Sequence, residues 1–173
     1  MPDLDAAIAQ CDRIREIDLS LTGPDSQRVI PAMQEPFPAL MHLKLAYGAT
    51  DIADGFLGGS APRLQSLDLQ CISFPALPKF LLSATGLVSL TLWGISYSAY
   101  IPPETLVTSL AALTNLQSLT LEFNYELQFH LDWGRRHPLP TTRAVLLSLT
   151  HFMSFLAQRL PGRPRGPDRC PFA

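Results

Sequence analysis

One pattern, apolar-x-x-apolar-x-apolar, returns along the chain and restricts what the chain can fold into. It stands at Ile14-Ile17-Leu19, Leu40-Leu43-Leu45, Leu64-Leu67-Leu69, Leu87-Leu90-Leu92 and Leu116-Leu119-Leu121. Successive middle residues are 26, 24, 23 and 29 positions apart, inside the range of about 20 to 29 used by stacked strand-plus-helix units. A weaker sixth copy is Leu149-Thr150-His151-Phe152. An ordinary α/β domain with scattered leucines would not set the same triplet at near-constant spacing.

The spacing is that of a short strand. Residues two apart share a face, so Leu67 and Leu69 enter one core while Leu64 reaches it from the preceding turn. The connecting segments have helical periodicity: Val29-Ile30 with Met33, Phe80-Leu81-Leu82 after two prolines, and Leu106-Val107 with Leu110 and Leu113. Pro102-Pro103-Glu104 opens the last of these, where proline costs no internal hydrogen bond. Gly58-Gly59-Ser60-Ala61-Pro62 closes the second. The whole predicts an α/β leucine-rich-repeat solenoid of five to six repeats, with curved parallel strands and helices on the convex side. It would occupy residues 1–157, with a long insertion at 124–140. One unit cannot bury its own apolar face, so a charge at Leu67 or Leu90, mid-stack, should unfold several units together.

Composition agrees with a folded domain: 173 residues, 47% hydrophobic and 16% charged, are enough for one substantial core. A formal net charge of -2 provides no pull toward nucleic acid or anionic membrane, and neither is expected as a partner. The start, Met1-Pro2-Asp3-Leu4-Asp5, lacks the basic and apolar regions of a secretory signal, and no apolar run is long enough to span a bilayer. A cytoplasmic or nuclear protein is expected. Cys11, Cys71 and Cys170 are odd in number and far apart, which reads as reduced thiols.

Chemistry-bearing motifs are missing. Gly58-Gly59-Ser60 lacks the lysine of a phosphate loop, and His42, His130, His137 and His151 have no metal-ligand spacing. No G-x-S-x-G elbow occurs. Arg135-Arg136-His137 in the long insertion reads as a solvated loop. No catalytic residue, metal or cofactor is therefore expected, and an enzyme is only a remote alternative.

What remains is the other face of the strands. The expected partner-binding residues are Lys44, Asp68, Gln70, Thr91, Trp93, Thr120 and Glu122, alongside Glu16, Asp18, His42, Ser66, Ser89 and Ser118. Trp93 amid small polar residues has the composition of an interface hot spot; the competing reading folds its ring over the turn near Ile95 and Tyr97. Acidic and basic residues read as mixed, which suits a protein partner, and the chain is expected to be a monomer. The ninth repeat position, often Asn, reads Thr22, Gly48, Ile72, Ile95 and Asn124, so the turns must satisfy their backbone groups in another way.

The runs Glu35-Pro36-Phe37-Pro38-Ala39-Leu40, Phe56-Leu57-Gly58-Gly59-Ser60-Ala61-Pro62-Arg63-Leu64, Phe74-Pro75-Ala76-Leu77-Pro78-Lys79 and Leu82-Ser83-Ala84-Thr85 resemble the leucine-rich-repeat region of fungal, chiefly basidiomycete, F-box-type proteins. The likeness extends from about residue 7 to 152. It implies repeats that hold the substrate of a ubiquitin ligase, beside an F-box that docks on a Skp1-type adaptor. The first strand near Ile14 leaves no room for such a helical module of about 40 residues, so adaptor docking would need an F-box encoded upstream. The alternative is a stand-alone or truncated repeat protein with no ligase role.

From Gln158 the chain turns to Arg, Pro and Gly through Pro171, a composition that cannot pack a core, and residues 158–173 read as a disordered tail or, functionally, as a basic linear motif. Codon degeneracy allows the same stretch, read one nucleotide later, to encode Ser-Asp-Tyr-Leu-Asp-Asp-Leu-Val-Ala-Arg-Ile-Asp-Ala-Pro, an amphipathic segment similar to what the family carries next. A frameshift or misplaced splice junction near residues 152–158 is the expectation. Transcript sequencing across the codons for Phe152 to Ala173 should show the shifted frame; codons that cannot encode that run would end the idea.

Overall fold

The computed structural model describes residues 10–20, 24–46, 51–95, 101–123, 141 and 143–156. The insertion at 124–140 and the tail at 158–173 lie outside the described residues. In chain order the elements are β1 (Glu16–Ser20), α1 (Pro24–Ala32), β2 (His42–Ala46), a 3-10 helix (Phe56–Gly59), β3 (Ser66–Gln70), α2 (Leu77–Ser83), β4 (Ser89–Ile95), α3 (Pro103–Ala111), β5 (Ser118–Phe123) and β6 (His151–Leu156). The six strands form one sheet, all parallel, in the order β1-β2-β3-β4-β5-β6. The protein is an α/β fold, and each of the triplets, with the weaker copy at Leu149, supplies one strand.

Register aligns the triplets. The row Ile17, Leu43, Leu67, Leu90, Leu119 and Phe152 runs straight across the sheet, as does Leu19, Leu45, Leu69, Leu92, Leu121 and Ser154. Leu43, Leu45, Leu67 and Leu90 are at most 1% exposed. They share one core with Val29, Ile30 and Met33 around α1, with Leu77, Phe80 and Leu81 of α2, and with Leu110 of α3. At about 1.5 to 3 kcal/mol for each fully buried Leu or Phe, this core dominates the favourable side of folding. Phe56 and Phe74 meet edge to face at 5.8 Å, and Phe74 meets Phe80 at 5.5 Å, joining two successive connections.

The same bonds recur at each strand entry from β2 to β6. The first residue of the triplet donates its N–H three residues back: Leu40 to Phe37, Leu64 to Ala61, Leu87 to Ala84, Leu116 to Leu113 and Leu149 to Leu146. One carbonyl of each strand entry then accepts two N–H groups from the next. Arg15 takes Met41 and His42, Met41 takes Gln65 and Ser66, Gln65 takes Val88 and Ser89, Val88 takes Gln117 and Ser118, and Gln117 takes Thr150 and His151. Turns are stitched as well: Asn115 Nδ2 donates to the Thr85 carbonyl and Ser148 Oγ to the Thr114 carbonyl. The equivalent Gly86 would hold a Cβ 3.3 Å from the Pro62 carbonyl.

Two expectations change, those on the second connection and on the cysteines, while the one on the asparagine positions agrees with the structure. The second connection is a single 3-10 turn rather than an α-helix, because Leu57 (φ 53) and Gly58 (φ 67) are left-handed. A Cβ at Gly58 would lie 2.8 Å from Pro36 Cγ, so glycine is required there for space as well as conformation. Ile72, at an asparagine position, is buried apolar core; the turns bond backbone to backbone instead, Ile52 N–H to Ser73 O at 2.8 Å and Cys71 N–H to Trp93 O at 2.7 Å. Cys71 is disulfide-bonded while Cys11 is free, since separation along the sequence does not limit which sulfurs meet in the fold. Among the described residues no helix is long and apolar enough to cross a membrane.

The two ends of the sheet are less covered than its middle. Ile17 and Leu19 of β1 are half-buried, and Phe152 of β6 is 60% exposed although it continues the row of Leu119. Leu90→Ala should therefore cost about 2 to 5 kcal/mol, while Phe152→Ala should stay within about 0.5 kcal/mol. Urea unfolding measures both; similar losses would contradict the packing described.

Candidate functional site

Alternation leaves every second strand residue on the face opposite the core. Its central row is Asp18, Lys44, Asp68, Thr91, Thr120 and Met153, and the row before it is Glu16, His42, Ser66, Ser89, Ser118 and His151. All seven residues expected to bind a partner stand on this face, and each is half-buried. The sheet brings Lys44, Asp68, Thr91 and Thr120 into one continuous row and puts Gln70 beside Trp93. The sixth strand adds His151 and Met153, which the sequence reading did not count; the signal was the degraded copy at Leu149.

Side-chain pairs cross this face. Lys44 Nζ lies 3.2 Å from Asp18 Oδ2, with both side chains about half exposed, so the pair contributes little to stability. Gln70 Nε2 donates to the Asp68 carboxylate, at 3.0 and 3.2 Å from its two oxygens. Burial pushes the Asp68 carboxyl above its ordinary value, against the Gln70 bond and the Lys44 charge, with Asp18 adding to the rise. Glu122 is likewise raised by burial, and the hydrogen bond from the Trp93 indole N–H offsets part of that. Gln70 and Trp93, neutral donors, thus hold the two half-buried carboxylates.

A backbone irregularity sets Trp93. Leu92 pairs with Leu121 but Ile95 with Phe123, so β4 carries one residue more than β5 in this interval. Gly94, at φ 66, absorbs the extra residue as a β-bulge, which re-aims neighbouring side chains. A glycine inside a strand pattern is the sequence signal for this. Trp93 is half-buried and borders a small apolar recess with Leu69, Ile72, Phe74, Leu77, Leu92 and Ile101. Its ring leans toward the core edge rather than standing free, while its N–H stays on the face with Glu122. Tyr97 lies outside the described residues.

The sign of the face also differs from expectation. Among its described residues Glu16, Asp18, Asp68 and Glu122 oppose Lys44 alone, so it is acidic rather than mixed. The recess beneath Trp93 offers no polar lining apart from the indole, and among the described residues no three metal-binding side chains converge.

Compared with family models, curated proteins and solved structures, the chain matches none.

A raised carboxyl binds its proton more tightly in the folded chain than in the unfolded one, so its contribution to stability is greatest at low pH and falls as pH rises through the raised value. Replacing Asp68 by Asn and Glu122 by Gln removes that decline. In urea unfolding the double variant should equal or exceed the parent near pH 7 and converge with it near about pH 3, below the ordinary carboxylate range; a variant that loses ground as pH rises would contradict the burial of these groups.

Proposed function

We propose that the chain is a leucine-rich-repeat solenoid of six units that binds another protein through the free face of its sheet and catalyses nothing. The observation that carries this is the division of each strand: one side builds a core of nearly unexposed leucines, the other an unbroken polar row held in register. A rigid scaffold with side chains fixed in rows loses little entropy on association, which favours recognition by surface complementarity. The recurring entry bonds and turn stitches support the repeat reading, because one unit of about 25 residues is reused strand after strand.

The likeness to fungal F-box-type repeats makes substrate recognition for a ubiquitin ligase the role this reading favours. Docking on a Skp1-type adaptor belongs to it only with an F-box outside these 173 residues.

A photo-crosslinking residue placed at Thr91, on the free face, should join the protein to a partner in cells, and one at Lys79, exposed on α2, should not. Trp93→Ala should cut the Thr91 adduct about tenfold or more, as truncation of a central aromatic does at protein interfaces. Adducts from Lys79 alone would overturn the reading.

A further inference from the structure

The face is not uniform: its burial, its only described aromatic ring and two of its carboxylates coincide over β4. Asp68 on β3 and Glu122 on β5 stand on the strands either side of β4, whose Thr91 and Trp93 lie between them. Glu122 stands one row beyond Asp68, level with Trp93, so two strand spacings and one two-residue step, about 12 Å in all, separate their backbones. That interval suits the end of one long cationic side chain lying over the indole. Among the described residues no third metal-binding side chain joins the two carboxylates.

We propose that the Asp68–Trp93–Glu122 position receives an arginine or lysine side chain from an extended basic segment of the partner protein. This rests on the reading of the face as a protein-binding surface and specifies the chemistry of what it binds.

Charge complementarity chooses the occupant. Four carboxylates against one ammonium leave the described face with a surplus of three negative charges, and Lys44 is already engaged by Asp18. Glu122 bonds to the neutral donor Trp93, and Asp68 bonds to the neutral Gln70 while sharing the charge of Lys44, its register partner, with Asp18. A guanidinium or ammonium arriving between them supplies counter-charge that Lys44 covers only in part, and a planar guanidinium can stack on the indole while its edge reaches a carboxylate. The burial that raises both carboxyls means that their charged forms have shed part of their hydration, so a partner cation displaces less water. Hydroxyls at Ser89, Thr91, Ser118 and Thr120 lie along the neighbouring rows, where they can bond to the backbone of an extended segment.

The test uses the full-length protein and a fluorescent dodecapeptide of alternating Arg and Ser, with the alternating Glu and Ser peptide as its counterpart. At low salt the Arg peptide should bind and the Glu peptide should not. Asp68→Asn and Glu122→Gln, near-isosteric changes, should each weaken binding by about tenfold or more, and Trp93→Leu by about fivefold. Glu35→Gln and Asp54→Asn, exposed on connecting segments, should leave it within twofold. Equal losses in all four carboxylate variants would mean general attraction to an acidic surface, and unchanged binding in the first two would mean the cation sits elsewhere; either result overturns the proposal. Self-association of the peptide-free protein that disappears in Asp68→Asn would give the face to a second copy and overturn it too. If the Thr91 crosslink forms while the Arg peptide does not bind, the protein-binding reading stands and only the cationic partner is lost.

Discussion

The row of Ile17, Leu43, Leu67, Leu90 and Leu119 is the constraint from which the rest follows. Because side chains alternate, a slip of one residue in any strand would turn its leucines outward and carry Lys44, Asp68 or Thr91 into the core. Burying an unpaired carboxylate there costs far more than the lost leucine burial alone, so both faces reject the same error. The carbonyls of Arg15, Met41, Gln65, Val88 and Gln117, each taking two N–H groups, hold the register at the start of each strand.

Strand positions were legible in the residue types because period-two burial needs no knowledge of the partner strand. Helices α1, α2 and α3 were legible from apolar spacing and, for α3, from Pro102-Pro103. The 3-10 turn was not, since the left-handed Leu57 is imposed by its tie to Met33, whose carbonyl accepts the Leu57 N–H. On the candidate site, alternation alone placed all seven residues on one face. What each touches depends on rotamers across neighbouring strands, so the Gln70–Asp68 and Trp93–Glu122 bonds had no sequence signature. The sign of the face was countable in advance, but only by summing carboxylates over one face rather than along the chain.

Apolar and polar groups occupy opposite sides of the same five or six residues, with opposite effects on stability. Leu67 and Leu69 are nearly unexposed while Asp68 between them holds a carboxyl that burial disfavours. A surface that binds must keep groups whose needs are incompletely met in the free protein, and such groups subtract from stability. Here the deep core on the other side provides the margin for them. The bulge at Gly94 does the same locally: it gives up regular pairing between β4 and β5 to set Trp93 where the indole N–H meets Glu122.

Each strand touches chiefly the strand before and the strand after it, and the outer two are the least covered. Opening is therefore cheapest at the rims and dearest at β3 and β4, whose amides open only when neighbours on both sides have let go. The acidic position over β4 thus sits where thermal fluctuation is smallest. A ligand seated there meets a surface that is already fixed, and its dwell time is decided by the contacts themselves rather than by how often the scaffold lets go.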